Sequence, residues 1–263
     1  MRRIAILIDG GYFLKRLPKL VAPHFCSTPQ QIADSARYLC KRHVQRLVGL
    51  DAEADEDGRW LDHVYRLFYY DATPFDGKSH HPLKNQPIDF GKSDVAKFRR
   101  ELFAQLRKKR KFALRLGHVT KESDWQIDAR LTKDLLKIRK WAEHVQSILD
   151  NPQEPPELPE NERREFENLI ERWQALEQRS VRIGLRQKGV DMRIGLDIAS
   201  ITLKQQADTM ILVTGDSDFV PAAKLARREG IEFLLDPLWQ KVSDQLYEHV
   251  DGIVSIYPQP EPT

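Results

Sequence analysis

Ile4-Ala5-Ile6-Leu7-Ile8 is an unbroken apolar run that stops at Asp9-Gly10-Gly11. A strand without polar alternation has to be buried on both faces, and parallel sheets covered by helices provide that burial. The run therefore argues against a half-exposed antiparallel sheet as the centre of the fold. Gly10 and Gly11 allow a tight turn directly after it. Further strands are expected at His63 to Tyr70, Phe112 to Val119, Val181 to Leu185, Thr209 to Thr214, Ile231 to Leu235 and Ile253 to Ile256. Helices are expected between them. Val95, Phe98, Leu102 and Leu106 share one helical face, and Ile194, Ile198 and Ile201 form a stripe within 192–206. Pro221 to Glu229 ends at Gly230, and 239–249 forms a last helix. Residues 75–92 lack periodicity and read as a loop. Alternation of this kind predicts an α/β fold, a mostly parallel central sheet covered on both faces.

Residues 121–180 interrupt that alternation. Leu131, Leu135, Ile138, Ala142, Val145 and Ile148 follow a 3,4 spacing, as do Phe166, Leu169, Ile170, Trp173 and Leu176. The Pro-rich stretch 151–159 breaks them apart. The expected organisation is one α/β domain from 1–120 and 181–257, an inserted helical hairpin at 121–180, and a flexible tail at 258–263. The seam serves equally for an intramolecular hairpin and for a homodimer through the insertion.

Hydrophobic residues make up 41% of the 263, enough to exclude a wholly disordered chain. No apolar run approaches the roughly 20 residues of a membrane helix. The apolar stretch after Arg3 ends within five residues, short of a signal sequence. Cys26 and Cys40 form neither a ligand pattern nor a disulfide framework, so a reduced, cytoplasmic setting is expected. The net charge of +3 hides an uneven distribution: residues 97–115 carry nine Lys/Arg against Glu101 alone, and 150–177 carry nine acids against three Arg. The basic stretch, above all Arg107, Lys108, Lys109, Arg110 and Lys111, suits a polyanion, although a solvated helix end explains it as well.

Open parallel sheets bind ligands at the carboxyl ends of their strands. Asp9 ends the first strand, and Gly215-Asp216-Ser217-Asp218 follows the strand at 209–214. The helix before that strand runs antiparallel to it, so its amino end, with Asp191 and then Asp197, lies at the same edge. Carboxylates gathered this closely raise one another's pKa and oppose folding. A hard divalent cation relieves the crowding, and oxygen-only ligands point to Mg²⁺ or Mn²⁺. Such a site suits phosphodiester hydrolysis. Taken singly, each of these acids is explained as well by capping a helix or turn.

Ile8-Asp9-Gly10-Gly11, Lys188-Gly189-Val190-Asp191, Leu196-Asp197, Ala207-Asp208-Thr209 and Val213-Thr214-Gly215-Asp216-Ser217-Asp218-Phe219-Val220 together resemble the NYN domain, in the LabA-like (DUF88) branch of the PIN-like nuclease superfamily. The resemblance spans 2–20, 62–120 and 181–257, and is most specific over 188–220. It implies a PIN-like three-layer α/β/α sandwich and a metal-dependent ribonuclease. It maps metal-binding acids onto Asp9, Asp197, Asp216 and Asp218, and adds Asp191 as a further catalytic acid. Asp208 also matches, but it lies at the amino end of its strand and reads as structural. Where the family often has Asn, this chain has Tyr12, whose hydroxyl either contacts substrate or packs. Ser217 is a further candidate for substrate contact.

The expected function is thus Mg²⁺- or Mn²⁺-dependent cleavage of RNA, or of another single-stranded nucleic acid, with no membrane partner. The alternative is a non-catalytic RNA-binding or assembly module that keeps the fold. A haloacid-dehalogenase-like phosphatase ranks last, because Gly11 stands where that chemistry needs a second Asp. Asp71, His80, His81 and the five tryptophans are weaker candidates, each with an ordinary packing or loop explanation.

Overall fold

The structure, a computed structural model, describes residues 1–51, 58–153 and 157–260. In chain order the elements are β1 (Ile4–Asp9), α1 (Gly10–Arg16), α2 (Pro29–Val48), β2 (Val64–Thr73), β3 (Lys78–His81), β4 (Gln86–Asp89) and α3 (Asp94–Arg107). Then come β5 (Phe112–Ile127), α4 (Ala129–Ile138), α5 (Ala142–Asp150), α6 (Glu160–Gln174), β6 (Val181–Lys188), α7 (Val190–Leu203) and β7 (Thr209–Val213). Last are α8 (Val220–Arg228), β8 (Glu232–Asp236), α9 (Asp244–Tyr247) and β9 (Gly252–Ile253). Two compact units result: one from Met1–Gly77, Phe90–Thr120 and Gln187 onward, the other from Lys78–Asp89 and Lys121–Arg186.

In the first unit the sheet is built around β1. Its strands run in the order β5-β2-β1-β7-β8-β9, each paired in parallel with its neighbours. Ile4 to Ile8 have no solvent exposure, as their unbroken apolarity requires. Each such side chain contributes about 1.5–3 kcal/mol by leaving water. Alternation sorts them between the two faces. Ile4, Ile6 and Ile8 pack with Phe13, Leu39, Val44, Leu102 and Leu106 of α1, α2 and α3. Ala5 and Leu7 pack with Ile194, Ile198, Ala223 and Ala226 of α7 and α8. This is the expected α/β/α sandwich with a mostly parallel sheet. From β1 the chain builds outward through β2 and β5, then returns to place β7, β8 and β9 on the other side. The order therefore reverses between β1 and β7, the kind of switch point where open sheets bind ligands.

The expected turn at Gly10 and Gly11 is not what the glycine provides. Gly10 already belongs to α1, and its φ is not positive. A Cβ there would meet the Tyr69 ring and the Tyr70 carbonyl at 2.5 Å, so the residue is needed for the close approach of α1 to β2. Other expectations also shift. The long helix α2 falls where none was expected, opened by a capping box in which Thr28 and Gln31 satisfy each other's backbone. Of the helix expected at 239–249 only α9 forms: Trp239 adopts positive φ, incompatible with a helix, and the helix starts only at its Ser243 cap. The expected loop at 75–92 contains the antiparallel hairpin β3–β4.

The second unit contains that hairpin and helices α4 to α6, so it extends beyond the expected 121–180. Buried Trp141 meets Phe166 edge-on at 5.2 Å and donates to Glu162, and Arg172 pairs with Asp134 at 3.0 Å. Trp173, expected to pack in the seam, is 41% exposed. His81 is buried beside the Trp125 ring. Of the expected breaker at 151–159, residues 154–156 lie outside the described residues. So do residues 261–263 of the expected tail. No helix among the described residues is long and apolar enough to cross a membrane.

Candidate active site

β1 and β7 lie side by side, Ile8 opposite Val213, and end at the same edge. Asp9 closes β1 and caps α1: the Tyr12 N–H donates to Oδ1 at 3.0 Å, and the Thr214 hydroxyl donates to Oδ2 at 3.4 Å. Past Thr214 the chain turns sharply, and Asp216 caps that turn by accepting the Asp218 N–H at 3.0 Å. Gly215 is needed because a Cβ would press on the Tyr12 ring at 3.0 Å. On the far side Gly189, with φ of 76°, opens α7 and puts Asp191 in its first turn. Asp191 is therefore not the helix N-cap. Asp9, Asp191, Asp216 and Ser217 line one cleft of about 500 Å³, together with Tyr12, Thr214, Lys15, Gln187 and Gln240.

The electrostatics match the geometry. Burial raises the Asp9 pKa most, and the nearby charges of Asp191 and Asp71 add to it, while the Tyr12 N–H and the Thr214 hydroxyl oppose. Asp191 is raised by partial burial and then by Asp216 and Asp218; Asp218, expected among the metal ligands, is near in charge but does not itself line the cleft. Among the described residues, Asp9, Asp191, Asp216 and Asp218 form no ion pair with a protein cation.

The other sequence candidates lie elsewhere. Asp197, expected among the metal ligands, does not line the cleft. It is six residues, or about 9 Å, beyond Asp191, and it accepts Arg115 Nε at 2.8 Å and the Tyr70 hydroxyl at 2.9 Å. Asp71 sits inside β2, not in a turn, and pairs with Arg99. Asp208 holds Arg3, as its place at the amino edge implies. Tyr12 presents its ring to the cleft, but its hydroxyl donates to the Pro237 carbonyl. Burial pushes the phenol up to about 12 against the pull of Arg16, so it stays protonated.

The basic segment requires a correction. Arg107, Lys108, Lys109, Arg110 and Lys111 were expected to meet substrate, yet they precede the first residue of β5, and β5 runs parallel to β2 and β1. They therefore lie at the amino edge of the sheet, opposite the cleft. Lys109 pairs there with Asp34, and Lys111 donates to the Leu61 and Val64 carbonyls.

Lys15, Gln187, Thr214 and Gln240 were not among the expected residues. Lys15 was legible: it follows Gly11 and Tyr12 by four and three residues, and so shares their helix face. Gln240 depends on tertiary structure. It follows Leu238 and Trp239, with φ of 49° and 62°, conformations that cost non-glycine residues about 1–3 kcal/mol each. A dense set of bonds holds them. Asp236 accepts the Leu238 N–H at 2.8 Å, Ser255 the Trp239 N–H at 3.1 Å, and the Tyr257 carbonyl the Trp239 indole at 2.6 Å. Arg16 donates to the Leu238 carbonyl at 2.7 Å.

The donor set fits a hard divalent cation. It consists of carboxylate and hydroxyl oxygens whose crowding a cation relieves. Among the described residues, no three His, Cys, Asp or Glu side chains close into a ready-made cage. Mg²⁺ does not require one, since it keeps several waters and uses one or two carboxylates with substrate phosphates.

Comparison with known proteins bears on the later part of the chain. No protein of curated function matches the sequence. A solved structure of a protein of unknown function from Vibrio parahaemolyticus aligns at 14% identity over 97% of this chain and 93% of that one, with a TM-score of 0.38, a likeness too distant to carry an argument. Residues 158–256 match the family model of the NYN domain. The match takes in Asp191, Asp197, Asp216 and Asp218 but not Asp9, and it begins within the segment expected to be an insertion. It supports the PIN-like nuclease superfamily at that coarse level for under half of the chain.

Proposed function

We propose that the cleft hydrolyses phosphodiester bonds in RNA with Mg²⁺ or Mn²⁺. The observation that carries this reading is the convergence of Asp9, Asp191 and Asp216, from three distant parts of the sequence, on one cleft without a neutralising protein cation. Asp9 and Asp216, which line the cleft, would hold the metal, with the charge of Asp218 close by; when bound, the metal polarises a phosphoryl oxygen and acidifies a water. Asp9 is pre-oriented by the Tyr12 N–H and the Thr214 hydroxyl. Asp191, exposed at the mouth with a raised pKa, is placed to accept a proton from the attacking water. Asp197 would act from outside the cleft, steadying Tyr70 and Arg115. The preference for RNA rests on the family resemblance.

The test is cleavage of labelled single-stranded RNA by purified protein with Mn²⁺, beside Mn²⁺ binding measured by calorimetry. Cleavage and metal affinity should both disappear in Asp216→Asn. A protein that binds RNA but neither binds Mn²⁺ nor cuts would instead be the non-catalytic module.

A further inference from the structure

The cleft has two unlike walls. One wall bears Asp191, at the start of α7, and Asp216 and Ser217, on the turn leading into α8. The helices behind it pack on the sheet face of Ala5 and Leu7. The other wall bears Lys15, from α1, and Gln240, from the segment after β8. Phe13 and Leu238, their near neighbours in the chain, pack on the opposite face with Ile4, Ile6 and Ile8. Asp9 lies between, at the end of β1.

Lys15 is the one Lys or Arg that lines this cleft among the described residues, and it forms no ion pair there. Its neighbour Arg16 is occupied, donating to the Leu238 carbonyl. Gln240 stands on the strained Leu238–Trp239 segment. Tyr12 and Arg16, both on α1, bond to the carbonyls of Pro237 and Leu238. Helix and segment are thus tied into one rigid support. Backbone strain held in place by surrounding bonds is found where a side chain must be presented accurately.

A polyanion entering a cleft that is acidic on one side needs a cation on the other. We propose that Lys15 and Gln240 form a substrate-positioning pair: Lys15 holds a phosphate of the strand, and the Gln240 carboxamide bonds to the neighbouring ribose. Lysine is a point-charge phosphate binder. A carboxamide both donates and accepts, as does the 2′-hydroxyl that distinguishes RNA from DNA. The pair would set affinity and sugar preference, while the acids on the facing wall serve the chemistry. This inference rests on the nuclease reading of the same cleft.

The experiment measures the Kd of the full chain for a fluorescent 12-nucleotide single strand, as RNA and as DNA, over a range of KCl. Mn²⁺-dependent kcat and KM for RNA, and Mn²⁺ affinity, are measured in parallel. Lys15→Ala should raise Kd and KM about tenfold and make the salt slope shallower by about 0.7, with kcat and Mn²⁺ affinity unchanged. Lys15→Arg should restore most of the loss. Gln240→Ala should weaken RNA about fivefold and leave DNA within twofold. Both side chains leave solvent-accessible positions on an intact backbone, and an unchanged near-ultraviolet spectrum would show the fold retained. An unaltered salt slope in Lys15→Ala overturns the phosphate role. Equal losses on RNA and DNA in Gln240→Ala overturn the ribose role. A wild type that neither binds Mn²⁺ nor cuts overturns the nuclease reading instead, and the salt slope and sugar ratio still decide the pair.

Discussion

Two neighbouring stretches of the same sheet region gather carboxylates and treat them in opposite ways. Beside β2 and the start of β5, two acids have an arginine: Asp71 pairs with Arg99, and Asp197 with Arg115. Around β1 and β7, Asp9, Asp191, Asp216 and Asp218 have none among the described residues, and burial first, then like charges, raise the pKa of Asp9 and Asp191. The chain holds 42 Lys and Arg, so cations are not scarce. Where an acid is structural, this fold supplies a cationic or imidazole partner, as it also does for Asp34 with Lys109 and for buried Asp236 with His43. Leaving four acids unpaired beside a cleft is destabilising unless something from solution neutralises them.

Substitution in the two sets should therefore have opposite signatures. Asp216→Asn in the open set should lower metal-dependent RNA cleavage by about 10³-fold, the value of several kcal/mol of transition-state stabilisation, with little change in the urea midpoint. Asp71→Asn in the paired set should do the reverse. It leaves Arg99, three-quarters buried, without its counter-charge, a loss partly offset because burial already raises the Asp71 pKa, and should cost about 1 kcal/mol in urea unfolding. If Asp71→Asn spares stability but abolishes cleavage, the division between the sets fails.

Asp197 is the boundary case, because family resemblance puts it with the ligands and geometry puts it with the pairs. Asp197→Asn keeps an acceptor for Tyr70 and weakens the bond to a half-exposed Arg115. A loss of about 0.5–1 kcal/mol is expected, with Mn²⁺ affinity within twofold of wild type. A collapse of Mn²⁺ affinity would return Asp197 to the metal.

How much of this could be read from the sequence follows from the range of the interactions. β1 was legible because Ile4 to Ile8 admit no exposed face, and so was the convergence of Asp9, Asp191 and Asp216, which needs only strand direction. The placement of Arg107 to Lys111 follows from the same rule, since residues directly before a parallel strand sit at its amino edge, whereas a charge run by itself says nothing of which edge it occupies. α2 was missed although Thr28 and Gln31 announce its start, because long polar stretches dilute its apolar face. The Asp197–Arg115 bond joins residues 82 apart, and the strained Leu238–Trp239 backbone is held by Asp236, Ser255, Tyr257 and Arg16. Neither leaves a local signal.

The smallest expected effect tests the comparison most directly. Asp191 is solvent-accessible as a residue, yet its carboxyl is partly desolvated beside the cleft, and that desolvation, then Asp216 and Asp218, raises its pKa. A carboxylate with a folded pKa above its unfolded value binds protons more readily when folded, so its contribution to stability declines as pH rises through that window. Asp191→Asn should thus stabilise the metal-free protein at pH 7, by up to about 0.5 kcal/mol after solvent screening. The gain should shrink as pH falls towards the unfolded value of 3.8, where the wild-type carboxyl is itself becoming neutral. Saturating Mg²⁺ should erase most of that gain at pH 7, because a cation held by the neighbouring acids offsets the like charges that raise Asp191 in the wild type. Urea unfolding of both proteins at pH 7 and pH 4.5, with EDTA or Mg²⁺, measures all three effects. A difference indifferent to both pH and Mg²⁺ would mean that the open acids are solvated independently, and that their lack of arginines carries no functional meaning.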